Sequence, residues 1–349
     1  MAVCPRVAVT IVTFNSARFI AQCLQFVFEQ DYPALEVVVV DNASSDATRA
    51  MLRPFEGRAT VVYNDKNNGF AGGQNQAMGL AKADWCLALN PDVRLTPQFV
   101  SRLVAAGETE AAIGSVCGKL LGMTPELTIP QEPVFDSTGI FFTPALRHFD
   151  RGSRVPDRGQ YDQFEYVFGA TGAACLYRRK MMDDISVNGE FFDDDFFAYR
   201  EDADLAWRAQ LLGWKCLYTP DAVAYHVRHV LPGKRSSLPA LINMHSVKNR
   251  WLMRIKNMTA DLYVKHFAVI TMRDGTVIGG CLLREFSSLR AFVMVARLWR
   301  RTWAKRRVIM GRQRVTNAYM AAWFANEPVS FPALEVAQKL NIQRVGSHD

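Results

Sequence analysis

The chain has 349 residues, 49% of them hydrophobic, with 22 Gly and 15 Pro, enough apolar material for one large core or two modest ones; this excludes a disordered protein. Its seven cysteines stand singly with no Cys-x-x-Cys pair, which excludes zinc-like spacing and points to a reducing compartment. The net charge of +7 is uneven: from Arg228 to Arg314 the only acids are Asp261, Asp274 and Glu285 among many Arg and Lys, so two parts with different partners are expected.

The opening "MAVCPRVAVTIVTFN" has no basic leader before an apolar run, so no signal peptide is expected. "RVAVTIVTF" (6–14) then reads as a strand, "ARFIAQCLQFVFEQ" (17–30) as a helix and "LEVVVVDNAS" (35–44) as a second strand. "SSDATRAMLRPF" starts with helix-capping residues, "ATVVYN" (59–64) predicts a third strand, "GGQNQAMGLAKA" (72–83) a helix and "WCLALN" (85–90) a fourth strand. Alternation of this kind, with strands apolar on both faces, predicts a parallel sheet covered by helices, an α/β protein that binds ligands at the carboxyl ends of its strands.

The polar residues at those ends are therefore candidates: Thr13 and Asn15, Asp41 and Asn42, Asn90 and Asp92. Asp41 could accept hydrogen bonds from a base or a ribose hydroxyl, or it could cap the following turn. Asp92, behind Pro91 at the end of a buried strand, is placed to hold a metal ion against a diphosphate. Gly69, Gly72 and Gly73, read as lying just before a helix, would let backbone approach a ligand, although turn-forming glycines are common. They do not match Gly-x-Gly-x-x-Gly, which disfavours a nicotinamide-binding protein.

Further on, "FFDDDFFAYREDADLAWRAQLLGWKCLY" (191–218) crowds Asp193, Asp194, Asp195, Glu201, Asp202 and Asp204 among aromatic residues, and Glu201 and Asp202 fall near a helix start. One or two acids there would be an ordinary charge complement to the helix dipole; six beside aromatics suggest a tuned general base. "TPDAVAYHVRH" (219–229) reads as a strand ending at His226 and His229, and a lone histidine is more often structural than functional.

Taken in order, "VTFN", "VVVVDNASSDAT", "NNGFAGGQNQAMG", "LALNPD", "GATGAACLYRR" and "FFAYREDADLAWRAQLLGW" followed by "YH" resemble a family 2 glycosyltransferase of the rhamnosyltransferase-like branch, over roughly residues 5 to 255. The resemblance implies a GT-A fold, with a Rossmann-like nucleotide-binding half and a mixed central sheet. It also implies sugar transfer from a nucleotide-diphosphate donor to an acceptor hydroxyl with inversion, using Mg2+ or Mn2+. Residue by residue, it implies that Thr13, Asn15 and Asp41 hold the nucleoside, that Asn68, Gly69, Asn75 and Asn90 border the donor, and that Arg208 assists the diphosphate. Asp92 would ligate the metal with His226 as a further ligand, Gly172, Ala173 and Ala174 would floor the sugar and acceptor pocket, and Asp202 would be the catalytic base with Glu201 as the fallback. Asn90-Pro91-Asp92 departs from the Asp-x-Asp of the broader family, so fewer protein charges would face the metal until the diphosphate arrives.

The expected organisation is a catalytic domain over 1–230, with a donor half to about 115 and an acceptor half from 116, followed by a basic, mostly helical extension over 231–349. "HFAVITMRDGTVIGGCLL" is interrupted by Arg273 and Asp274 and reads as core or interface, not as a membrane span. The helices of the extension suit the surface of an anionic membrane, with Trp299 and Trp303 at headgroup level. The alternatives are packing on the catalytic domain or a homo-oligomer contact. The expected acceptor is a glycan or a polyprenyl-linked sugar in cell-envelope polysaccharide synthesis, and the expected place is cytoplasmic, at the inner face of the membrane. Nucleic acid fits the charge but no motif. The donor sugar expected first is rhamnose on dTDP, then UDP-linked hexoses. A non-catalytic sugar-nucleotide-binding scaffold is the competing class, and its signature, loss of Asp92 or Asp202, is not met. "VFDSTGIFF" (134–142) belongs to the acceptor side without an assigned role.

Overall fold

The computed structural model describes residues 4–228 and 240–345. The first part runs β1 (Val7–Thr13), α1 (Ile20–Phe28), β2 (Leu35–Asp41), α2 (Thr48–Leu52), β3 (Thr60–Tyr63), α3 (Gly69–Leu80) and β4 (Trp85–Leu89), the alternation expected from the sequence. Next come β5 (Val93–Leu95), α4 (Phe99–Gly107), β6 (Ile113–Gly122), β7 (Phe135–Ser137), β8 (Ile140–Phe142), β9 (His148–Asp150) and β10 (Glu165–Val167). β11 (Ala174–Arg178), α5 (Arg179–Ile185), α6 (Glu201–Leu211) and β12 (Lys215–His226) complete this part. The remainder is α7 (Ala240–Asn257), α8 (Ala260–Leu283), α9 (Arg290–Gly311), α10 (Asn317–Ala322), β13 (Phe331–Pro332) and α11 (Leu334–Val345).

The main sheet has the order β13-β10-β12-β6-β11-β4-β1-β2-β3. Strands β1 to β4 pair in parallel, and β11 enters antiparallel between β4 and β6, so the sheet is mixed where the hydrophobic pattern alone predicted a parallel one. Successive side chains serve opposite faces: Val7, Val9 and Ile11 of β1 join one apolar core while Ala8 joins the other, and Val37 and Val39 of β2 are likewise separated from Val38 and Val40. Burial on both faces is why these strands read as continuous apolar runs.

Helix α3 begins at Gly69, three residues before the expected start, with Asn68 as its N-cap. The glycines therefore lie inside the helix, not ahead of it. A Cβ at Gly73 would sit 2.7 Å from Val12 Cγ1, and one at Gly69 would sit 2.3 Å from the Phe197 carbonyl oxygen, at a φ of +75°. Close packing of α3 on β1 and on the 197 turn requires them.

The basic C-terminal part docks on the acidic stretch before α6. Lys305 of α9 donates to Asp193 (2.6 Å), Glu190 (2.8 Å) and Asp195 (2.9 Å), and Lys256 of α7 pairs with Asp193 and with Asp204 (2.9 Å). Three of the six acids read as surroundings of a catalytic base, Asp193, Asp195 and Asp204, are thus anchors for two helices, and charge complementarity within one chain accounts for part of the uneven charge. At the end of the chain, β13 pairs with β10, and Val336 and Leu340 of α11 join the core beneath the sheet.

Candidate active site

A cleft of about 450 Å³ opens at the carboxyl end of β4, where such sheets take their ligands. Asn90 and Asp92 line it from the turn after β4, Gly172 and Ala173 from the approach to β11, and Glu201 and Asp202 from the start of α6. The sequence-expected acids on separate elements therefore meet in one space.

Backbone pairing brings His226 to Asp92. β12 runs antiparallel to β5 with His226 opposite Val93, and Val227 N–H donates to the Asp92 carbonyl at 3.1 Å. His226 Nε2 consequently lies 3.5 Å from Asp92 Oδ1, while Nδ1 lies 2.8 Å from Asp136 Oδ2. Arg228 continues the chain, bonding Asp136 at 2.5 Å and Asp150 at 2.7 Å. Burial alone would lower the His226 pKa, but Asp136 and Asp92 raise it to about 10. Asp136, against its own burial, is pulled down to about 2 by His226 and Arg228.

Among the described residues no group of three or more His, Cys, Asp or Glu side chains is placed to hold a metal ion. The donor set at the cleft is one carboxylate and one imidazole, Asp92 and His226. That pair fits a divalent cation such as Mg2+ or Mn2+ if the cation displaces the proton from His226 Nε2 and diphosphate oxygens and water complete the shell.

Asp202 is presented by an unusual turn: Phe197, Tyr199 and Arg200 all have positive φ (65°, 70° and 70°), although none is glycine. Such residues cost about 1–3 kcal/mol each and persist where their surroundings hold them. Arg200 is held by the Ser246 carbonyl (3.0 Å) and hydroxyl (3.3 Å) on α7 and lies 3.1 Å from His148 Nδ1. The Asp202 carboxylate accepts from Gly172 N–H at 3.0 Å and Ala203 N–H at 2.7 Å. Burial raises its pKa, the two N–H bonds oppose this, and the balance is a pKa raised from its ordinary value. Glu201 is pushed up further, by burial and then by Asp202, and its Oε2 finds no hydrogen-bond partner among the described residues.

Several expected site residues do other work. Arg208 does not reach the cleft: it is buried, donates to Asp204 at 3.1 Å and to the Ile185 and Phe191 carbonyls, and so braces the core behind α6. Ala174 is the first residue of β11, fully buried opposite Leu89, so only Gly172 and Ala173 border the cleft. Asn75 bonds the Phe192 backbone and Asp194, clamping α3 to the acidic segment. Asp41 accepts from Thr13, from the Ser44 hydroxyl and N–H and from Arg49, and Asn15 from Ser45 N–H, which is the turn-capping alternative for this carboxylate. Thr13, Asn15 and Asp41 occupy the β1–β2 rim beside β4. Asn68 and Gly69 open α3, whose Phe70 lines the cleft. His229 lies outside the described residues.

The residues that sequence reasoning missed are Asp136, His148, Asp150, Arg200, Arg228 and Ser246. Only Asp136 left a trace, in "VFDSTGIFF", the segment without a role.

Residues 8–186, just over half of the chain, match the family model described as Glycosyl transferase family 2. The chain belongs to this family. Among curated proteins it is similar to the succinoglycan biosynthesis protein ExoO of Rhizobium meliloti (strain 1021), 24% identical over 242 residues, covering 64% of this chain and 61% of that protein. It also resembles the putative teichuronic acid biosynthesis glycosyltransferase TuaG of Bacillus subtilis (strain 168), 32% identical over 91 residues, 25% of this chain and 36% of TuaG. Both matches span less than two thirds of the relative's own length.

Among solved structures, S. aureus TarS 1-349 superposes with a TM-score of 0.52 at 17% identity, covering 88% of this chain and 90% of that one. The mannosyltransferase PcManGT from Pyrobaculum calidifontis, in complex with GDP-Man and Mn2+, gives 0.50 at 16% identity, covering 92% and 88%. At such identities the likeness concerns the fold, and the fold is the GT-A fold.

Proposed function

We propose that this family 2 glycosyltransferase is an inverting enzyme that moves a sugar from a nucleotide diphosphate to a hydroxyl of a glycan or lipid-linked acceptor, in the building of cell-envelope polysaccharide. The observation that carries this reading is that Asp92 with His226, and Asp202, line one cleft from different elements. The nucleoside would lie along the β1–β2 rim of Thr13, Asn15 and Asp41, and the diphosphate over Asn90 and Asp92. A divalent cation at Asp92 and His226 would offset the charge of the departing diphosphate.

Gly172 and Ala173 would floor the sugar. Asp202, fixed by two backbone N–H groups, takes the acceptor proton as its oxygen attacks the anomeric carbon, giving a single displacement. A buried carboxylate with a raised pKa is a better proton acceptor than one in water. Rhamnose on dTDP is the first donor to try, from the likeness of the motifs to the rhamnosyltransferase-like branch, with UDP-linked hexoses next. The polysaccharide setting draws on the names of the succinoglycan and teichuronic acid relatives, and the cation on the Mn2+ bound in the PcManGT complex.

The test is turnover of a panel of nucleotide sugars by wild type and Asp202→Asn. Loss of about two to four orders of magnitude with nucleotide binding kept is expected. Full activity in the variant removes Asp202 from the role, and nucleotide binding without turnover of any donor in wild type favours the scaffold class.

A further inference from the structure

Helix α8 carries four charged residues, and the one acid at its centre is turned inward: Asp274 accepts from Arg250 at 2.9 Å and from Arg254 at 2.6 Å, both on α7. Val264 (73% exposed) and Phe267 (52%) stand three residues apart near one end of the helix, and Ile278 (38%) and Leu282 (50%) four apart near the other, with Ala268, Thr271 and Gly275 exposed between the two pairs. Together they make a largely apolar stripe along α8, whose 24 residues span about 36 Å and bend at a kink at His266. Leu283, the last residue of the helix, and Phe286 beyond it are 79% and 67% exposed.

A stripe of this size marks a surface that meets another apolar phase. Charge selects which one. In residues 260–311 the exposed side chains include Lys265, Arg284, Arg290, Arg297, Arg300 and Arg307, against Asp261 as the single fully exposed acid. Two copies of so basic a face would repel one another, whereas an anionic surface would attract it. At the start of α8, a groove of about 510 Å³ between α7, α8 and α9 is walled by Trp251, Tyr263 and the stacked pair Trp299 and Trp303, whose rings lie 5.6 Å apart. Half-exposed tryptophans beside arginines suit the headgroup layer of a bilayer. No described helix is long and apolar enough to cross a membrane.

We propose that α8 lies flat in the interface of an anionic phospholipid bilayer, its Val264–Leu282 stripe inserted among the acyl chains and its neighbouring arginines on the headgroups. Pairing of Asp274 with Arg250 and Arg254 on α7 is what keeps its charge off this face. The expectation that Arg273 and Asp274 make the segment core or interface thus becomes specific: the inner face is core and the outer face is membrane interface.

The experiment is co-sedimentation of the full chain with vesicles of phosphatidylglycerol and phosphatidylcholine, against phosphatidylcholine alone, at low and high salt. The comparison variant is the double substitution Phe267→Asp and Leu282→Asp. Both side chains are solvent-exposed and outside the cleft, and an unchanged melting temperature and nucleotide binding check that the fold is kept. Wild type is expected on the anionic vesicles, less so at high salt, with partitioning reduced about tenfold or more in the variant. Absence of binding to anionic vesicles overturns the proposal, as does equal binding of the variant or equal binding to neutral vesicles. Self-association that the variant abolishes would overturn it in favour of a second copy. The inference does not rest on the transfer reaction, because failure to bind vesicles with nucleotide binding intact, and the reverse, are separate results.

Discussion

His226 Nδ1 lies 2.8 Å from Asp136 Oδ2, while its Nε2 points to Asp92 at 3.5 Å. The carboxylate on the far side fixes the ring so that Nε2 is the nitrogen offered to the cleft, as second partners do for metal-bound histidines. Asp136→Asn is therefore expected to weaken Mn2+ binding by about 10–100-fold. Titration of Mn2+ by electron paramagnetic resonance, with and without nucleotide diphosphate, reads this directly; unchanged affinity would mean that the ring is held without Asp136.

Lys305 is nearly inaccessible and faces three carboxylates. Removing one member of a buried ionic cluster leaves the others uncompensated, so Lys305→Met is expected to cost about 3–5 kcal/mol in chemical denaturation. A loss under about 1 kcal/mol would show that the cluster contributes no more than a surface pair.

The same cluster sets an acid limit. Burial would raise the Asp193 pKa, but Lys256 and Lys305 hold it well below the usual value of 3.8. Its folded value is depressed, so its stabilising contribution is present above that unfolded value and is lost as pH falls below it. Thermal melts taken from neutral to acidic pH should show this loss in wild type and a smaller one in Lys305→Met.

Glu201 has the opposite sign. Its folded pKa is raised, so stability is greatest below the unfolded value of 4.5 and declines as pH rises through the folded value. Glu201→Gln should be more stable than wild type at neutral pH and no more stable in acid. If Asp202 is the base, the variant keeps turnover within about tenfold, against the loss of about two to four orders expected for Asp202→Asn. The reverse ranking would assign the proton transfer to Glu201.

What the sequence made legible follows from the range of the signal. Strands β1 to β4 were readable because burial on both faces writes an unbroken apolar run, and Asp92 because a strand end turns abruptly polar. Asp202 was readable from its place at a helix start. His148 and Asp150 were not, since β9 is three residues long and pairs only locally with β8. Nor could Arg208 be placed: helical spacing next to acids is the same whether a guanidinium faces solvent, a phosphate or, as here, Asp204 in the core. The docking of Lys305 on Asp193 joins residues 112 apart, and no local pattern records such complementarity.

The most direct test of the central claim is calorimetric titration of dTDP, UDP and GDP into wild type and Asp92→Ala, each with and without Mn2+. The account predicts binding of one nucleotide that strengthens with Mn2+ in wild type and loses that dependence in Asp92→Ala. Tight binding indifferent to both the cation and the substitution would contradict it, because the diphosphate would then lie away from Asp92 and the cleft would have to be read anew.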